Sequence, residues 1–455
     1  MFAVSFHWIL FLNKLNCVIM KYVSKLSLII VAFILFKTSI KAQESKYLSI
    51  SEAVEVATEF NSNVKIAELE RKVSNANYRQ TDAIFLPQIE LGYTALSTNN
   101  PLNAFGFLLQ QQTVTQMDFD PNKLNNPGNS RDFSAKMEAK LPLLNVDLIY
   151  ARKGAKAQEE VHRYKAQRTK EYIEFEVKKA YNQLQFSYEA EGILQKSLAD
   201  VKQIYQAVNN FYERGLIQKS DVLNAQVQVN TLESALAKAE SNIYNASDGL
   251  HFLMGTADDM LYQTDSLVQN SSFSLNHLVS TGRADFMALS KAVDATHMMV
   301  KSSKMAFIPR IKAFGGYQFN DVMPFKFGAD SYLVGINMSW TSFSGNKNRN
   351  QIKSYKFQKE KMQEELSSQL KQGQLDIDKT NRELKDLQLE IDKQRTSVAQ
   401  ADEALRIMSN RHTEGLVSTT DLLMSQAQQA QQKLQLAQAI MSYNIAQAYS
   451  EFLSK

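Results

Sequence analysis

Cysteine is almost missing from this chain of 455 residues, which holds one, Cys17. No disulfide framework and no thiolate metal cluster can be built from it. Proline and glycine are scarce as well, with 7 and 16 residues. That is too few to turn so long a chain between many short elements, and Ala, Gln, Leu, Lys and Glu fill the long middle runs, a composition of long helices. Beyond residue 42 no stretch of about 18 or more uncharged apolar residues occurs, so no membrane-spanning helix is predicted there. Chemistry-bearing motifs are absent too: there is no phosphate-binding glycine loop, no nucleophile elbow and no HExxH. An enzyme is not expected, nor a cofactor.

The N-terminus reads as an export leader, residues 1–42. Met20 to Lys25 is a short basic region, Leu26 to Phe36 an apolar core, and Ile40-Lys41-Ala42 a cleavage site before Gln43. Met20 is read as the true start, with residues 1–19 an upstream extension. The apolar core is short for a retained anchor helix. The leader carries five lysines and no carboxylate, so the net charge of +4 becomes −1 without it. The basic balance therefore implies no nucleic-acid partner. Cys17 leaves with the leader.

What the chain has in abundance is helical periodicity. Leu48 to Tyr78 reads as helix, with Ser49 or Ser51 as N-cap, running on to about Phe85 before Pro87 enforces extended backbone. Val146 to Phe211 holds no proline. Its positions 173, 177, 180, 184, 187, 191, 194, 198, 201, 205, 208 and 212 are spaced strictly four and three apart, and ten of the twelve are apolar. That 3.5-residue repeat is a coiled-coil seam. A helix of about 65 residues is roughly 100 Å long. Gly215 ends it, Ser220 or Asp221 is read as the next N-cap, and a helix returns over 222–253.

Between the helices the period changes to two. Ile89, Leu91, Tyr93 and Ala95 alternate with Gln88, Glu90, Gly92 and Thr94. After a polar Asn- and Pro-rich stretch (98–131), Phe133, Ala135, Met137, Ala139, Leu141 and Leu143 alternate with Ser134, Lys136, Glu138 and Lys140. Strands are predicted over 86–96 and 133–144. One apolar and one polar face is the pattern of a transmembrane β-barrel strand, and equally of an antiparallel sheet in a soluble domain.

The whole design then repeats. YERGLIQKSDVLNAQVQ (212–228) returns as HTEGLVSTTDLLMSQAQ (412–428) at a fixed offset of 200. FLPQIELGYTAL (85–96) returns as FIPRIKAFGGYQF (307–319), with Pro309 standing for Pro87 at an offset of 222. Strands are predicted over 308–319 and 332–343, a second long helix over 346–411 with its seam in register with the first, and a final helix over 420–453. The offset changes because the first strand pair carries a longer loop, expected to be free in solvent on the exterior side. The chain thus divides into a first repeat (43–254, tip 212–221), a connector (255–280) and a second repeat (281–455, tip 412–421). Four strands cannot close a barrel, and open edges in lipid are prohibitive, so membrane-spanning strands require an oligomer: two copies supply eight strands and three supply twelve.

The RGL…SDVL…AQ and EGL…TDLL…AQ turns, the LP and IP helix-to-strand switches and the repeated helix-strand-strand-helix-turn-helix order resemble the TolC-like outer membrane efflux proteins over essentially the whole mature chain. The resemblance implies a mixed α and β membrane protein: a homotrimer with a twelve-stranded barrel in outer membrane lipid, continuous with a helical coiled-coil tunnel through the periplasm. It implies a passive exit duct served by a periplasmic adaptor and an inner-membrane pump, proton-driven or ABC-type, carrying drugs, toxic compounds or metal ions. Type I protein secretion is an alternative cargo, and a soluble periplasmic coiled-coil scaffold an alternative of another class. By the same resemblance Arg214, Gly215, Leu216, Ser220, Asp221, Glu414, Gly415, Leu416, Thr420 and Asp421 form the periplasmic gate and adaptor-docking tip. Val417 and Met424 depart from the family pattern, standing where some members carry a locking Arg and a cation-ring Asp.

Three further readings concern individual residues. Tyr93, Tyr317, Tyr332 and Trp340 are candidates for an interfacial aromatic girdle, with core packing the alternative. His297 beside Met298 and Met299 reads as a packed Met-rich helix face rather than a metal site. Asp221 and Asp421 read as capping residues of the tips, not a catalytic carboxylate pair.

Overall fold

The computed structural model describes residues 45–256, 260–270 and 278–455; the leader and the remainder of the connector lie outside the described residues. In chain order the elements are β1 (Ser45–Tyr47), α1 (Ile50–Phe60), α2 (Ser62–Gln80), β2 (Gln88–Thr98), α3 (Pro101–Gln110), α4 (Pro121–Asn125), β3 (Ser130–Leu144), α5 (Val146–Glu213), α6 (Lys219–Met254), β4 (Leu261–Gln263), α7 (Ala284–Met305), β5 (Arg310–Asp321), β6 (Ala329–Ser339), α8 (Lys347–Thr413) and α9 (Thr419–Ser454). The chain forms two compact units. The smaller contains a two-stranded parallel sheet, β1 with β4, extended by a bond from the Leu48 N–H to the Gln263 carbonyl at 2.9 Å. The larger holds everything else.

The two long helices, α5 and α8, have 68 and 67 residues, about 100 Å each at 1.5 Å per residue. Every position of the second seam and all of the first but Tyr212 are buried or half-buried. Each long helix packs on its own return helix, and α9 also packs on α5, so the two hairpins lie side by side. Leu198, Val201, Ala225, Val229 and Leu232 of the first hairpin enclose Leu423 of the second. Farther along, Tyr172, Phe175, Tyr449 and Phe452 stack together, and Arg168 lies over the Phe452 ring at 3.5 Å while donating to its carbonyl at 3.0 Å.

The first predicted helix is in fact two. Asn61 breaks it, closing α1 and capping α2 by accepting from the backbone N–H groups of Asn63 and Val64 at 2.8 and 3.4 Å. Its amide donates to the Leu253 carbonyl at 2.7 Å, which ties this corner to the end of α6. There Gly255 is left-handed (φ +67°), and a Cβ on it would sit 2.6 Å from the Phe60 carbonyl oxygen. Asn61→Ala removes a cap and a buried bond together, a loss of about 2 kcal/mol. Urea unfolding should show it, with Asn61→Asp, which keeps the cap, falling in between.

The four long strands make one antiparallel sheet in the order β2-β3-β5-β6. Each hairpin pairs with itself, and β3 pairs with β5 to join the two repeats. Strand ends differ from the expected ones by up to four residues, and the end of β3 at Leu144 is as expected. β2 and β5 begin after the proline rather than before it, because Pro87 and Pro309 have no N–H for the ladder. β6 ends at Ser339, so Trp340 stands just beyond it.

Candidate functional site

Register decides which side chains share a face of the sheet. Ile89, Leu91 and Tyr93 pair with Ala139, Met137 and Ala135, Met137 with Tyr317, and Tyr317 with Tyr332. Through these pairings, with Val334, Ile336 and Met338, one face is apolar across all four strands. It is open: Leu91, Tyr332, Val334 and Ile336 are 69 to 76% exposed. The opposite face carries Glu90, Lys136, Glu138, Lys140, Lys312, Gln318, Ser331 and Asn337 by the same alternation. It holds a trough of about 420 Å³ lined by Lys136, Glu138, Lys140, Lys312 and Asn337, with Phe314 and Leu333 among them. Lys140 bridges Glu138 at 3.1 Å and Glu90 at 3.7 Å along this trough.

The candidate girdle residues fall at two levels. Tyr93, Tyr317 and Tyr332 lie toward the end of the sheet away from the long helices, where Tyr93 stacks on Phe325 at 5.0 Å and Tyr317 bonds Asp330. Trp340 lies at the other end and donates to the Phe307 carbonyl at 3.0 Å. Eight residues separate Tyr332 from Trp340, about 27 Å along a strand. A tilt of about 40° reduces that to roughly 20 Å, the scale of a barrel's apolar band.

At the joint between helix and strand, Pro87 and Pro309 sit where expected, each after a short tightened turn. Two ion pairs missed in the sequence brace it. Arg152 reaches back from α5 to Asp82 at 2.6 Å and covers the Tyr78 ring at 4.7 Å. Arg310, the first residue of β5, pairs with the buried Asp147 at the start of α5. The second pair has a sequence signal, a charge beside Pro309 and another at the start of α5; the first pair has none.

The two tips are built alike. Gly215 and Gly415 have φ of +72° and +74°. In each, the glycine N–H bonds the carbonyl three residues back, and the N–H of Leu216 or Leu416 reaches the carbonyl of Phe211 or Arg411 at 3.0 or 2.9 Å. This is a Schellman termination. It leaves Leu216 and Leu416 65 and 62% exposed, with Arg214 and Glu414 beside them in the open.

The expected caps need correction. Neither Ser220 nor Asp221 caps its helix; Gln218 and Ser418 hold the N-cap positions. Ser220 and Thr420 are the second helical residues and Asp221 and Asp421 the third. In the second tip Asp421 accepts from the Ser418 N–H and hydroxyl at 3.2 and 2.7 Å and closes a capping box. The first tip has Gln218 instead and no side-chain cap. Behind the second tip, Arg406 donates two bonds to Glu403, which hold that carboxyl below its ordinary range.

The tips also differ in burial. Leu423 is 6% exposed against the first hairpin, whereas its counterpart Leu223 is 55% exposed. The same holds farther along. Phe452 meets Phe175 at 5.7 Å, while their counterparts Phe252 and Leu375 are 79 and 55% exposed.

Comparison with known proteins agrees with this architecture. No curated protein is similar enough in sequence to match. Among solved structures, CusC is 16% identical, with 91% of this chain and 95% of that one covered and a TM-score of 0.77. The CmeC outer membrane channel of Campylobacter jejuni is 16% identical over 89% of this chain and 85% of that one, with a TM-score of 0.74. The outer membrane protein VceC of Vibrio cholerae is 17% identical over 88 and 95%, with a TM-score of 0.73. At such identities the likeness is one of fold. The model of the outer membrane efflux protein family matches residues 53–256 and 277–449, most of the chain, and the chain belongs to that family.

Proposed function

We propose that three copies of this chain form an outer membrane exit duct, a twelve-stranded barrel prolonged by a helical tunnel through the periplasm. Small molecules leave through it passively. A periplasmic adaptor docks on the exposed tip residues Arg214, Gly215, Leu216, Glu414, Gly415 and Leu416, and an inner-membrane pump supplies the energy. The observation that carries this reading is the sheet. Its apolar face is bare, its polar face holds a trough, and its outer strands β2 and β6 have unpaired edges among the described residues. A sheet with those properties is stable in lipid only when closed by further copies. Three copies suit a conducting pore, since eight strands leave room only for side chains.

The internal repeat supports closure by identical copies. α9 packs on α5 within the chain, and α6 and α8 are their counterparts at the two flanks. Leu223, Phe252 and Leu375 are exposed at positions whose counterparts are buried or stacked in the within-chain contact. A neighbouring copy supplies the equivalent contact. The test is fractionation of cells expressing the full chain, together with compound accumulation in a deletion strain. The expected result is an outer membrane oligomer whose gel migration changes on heating, and increased accumulation of a small toxic compound when the chain is lost. A monomer in the soluble periplasm contradicts the reading.

A further inference from the structure

The two strand hairpins are closed very differently. Residues 322–328 join β5 to β6, whereas 99–129 join β2 to β3, and this longer segment is folded rather than free in solvent. Asn100 caps α3 by accepting from the N–H groups of Leu102 and Asn103 at 3.1 and 3.2 Å, with Pro101 in the first turn. Phe105 of α3 meets Phe119 edge-on at 5.6 Å. The segment also covers part of the sheet. At the end remote from the long helices, Asp132, Asn320 and Ala329 of the polar face are only 1 to 2% exposed, although most of the sheet is open on both faces. Gln111, itself 8% exposed, donates to the Asp132 carboxylate at 3.0 Å and to the Arg131 carbonyl at 2.8 Å. The Asn320 amide donates to both oxygens of the same carboxylate at 3.1 and 2.9 Å. Gln112 reaches the Asp330 carbonyl on β6 at 3.2 Å. Hydrogen bonds to a buried carboxylate are among the stronger ones, so the segment is fixed to the sheet, and fixed on its polar side.

We infer that residues 99–129 form a lid seated inside the outer mouth of the duct, pinned by Gln111 to Asp132 of β3, which limits the size of the solutes that leave. This rests on the channel reading for its function, but the seating of the lid does not. In a barrel the polar face lines the lumen; a folded segment pinned to that face narrows the exit, and three copies narrow it from three sides. A loop lying outward over lipid or solvent would leave Asp132 and Asn320 exposed.

The experiment uses the full chain carrying Ser134→Cys, a polar-face position paired with Asn320 beneath the lid. It is combined with Gln111→Ala, or with replacement of 99–129 by the short 322–328 connection. Whole cells are treated with a bulky membrane-impermeant maleimide, and the purified chains are reconstituted in planar bilayers. Labelling should rise about tenfold or more with Gln111→Ala, the factor expected when a bond to a carboxylate is lost, and at least as much when the segment is replaced. Conductance and the polyethylene glycol exclusion size should rise with it. Equal labelling with and without the lid overturns the seating. Increased labelling with unchanged conductance and exclusion size overturns the size limit. Increased labelling in chains that conduct nothing upholds the seating and counts against the channel reading alone.

Discussion

Ile336→Arg should abolish assembly in the outer membrane, whereas Asn337→Arg, its immediate neighbour on β6, should leave assembly intact. The two side chains point to opposite faces of one strand. Ile336 lies midway between the aromatic levels of Tyr332 and Trp340, on the apolar face, and is 72% exposed. An arginine at the bilayer midplane of a barrel costs about 2–4 kcal/mol, and the proposed trimer would carry the substitution three times. Asn337 lies on the trough that also holds Lys312 and Lys140, where another cation stays in water. Heat-modifiable migration of the membrane fraction is the measurement. If both variants insert equally, the apolar face does not meet lipid. A soluble sheet buried against a partner would tolerate neither the charge nor exposure to the lipid, but it would also never appear in that fraction.

Gly215→Val or Gly415→Val should reduce efflux without reducing the amount of barrel in the membrane. Both glycines are left-handed, and neither would bring a Cβ within 4 Å of another atom. The penalty is therefore one of backbone alone, roughly 1–2 kcal/mol for an L-residue and more for a β-branched one. A strained tip splays the last turns of the hairpin and displaces Leu216 or Leu416, the exposed apolar groups next to it. The four-stranded sheet, about 100 Å away at 1.5 Å per helical residue, is not touched. Gly→Asn at the same positions should retain most efflux, because asparagine tolerates this conformation. The readout is compound accumulation at matched membrane levels. Accumulation unchanged by valine would remove the tip from the transport pathway.

Much of this fold was legible because its signals are local. The four-three spacing from Ile173 to Val208 and its in-register copy specify hairpins whatever surrounds them, and Gly215 and Gly415 mark the turns. The alternation Ile89 to Ala95 and Tyr332 to Met338 fixes the two faces of the sheet. What was illegible depends on distant partners or on choices among equals. Asn61 breaks a helix where its oxygen caps α2 and its amide meets the distant Leu253 carbonyl. Ser220 and Asp221 are better capping residues than Gln218, yet the chain geometry puts Gln218 at the first N-cap; in the second tip Ser418, Thr419, Thr420 and Asp421 are all able to cap, and only the geometry selects Ser418. Helix α3 hid in a stretch read as polar loop, although Asn100-Pro101 ahead of an apolar run is a helix-start signal. The pairing of β3 with β5 and the bond of Arg310 to Asp147 join residues far apart in sequence, and periodicity carries no information about them.

In the proposed assembly, copies of this chain close on one another as its own two hairpins do. Phe175 and Phe452 touch within the chain, so their counterparts, Leu375 on one copy and Phe252 on the next, should touch between copies. The direct measurement is cross-linking of the Phe252→Cys, Leu375→Cys double variant in intact membranes with a short bismaleimide. A ladder of monomer, dimer and trimer that stops at the trimer is expected, absent from either single variant. A double variant that remains monomeric, or a ladder that continues past three, contradicts it.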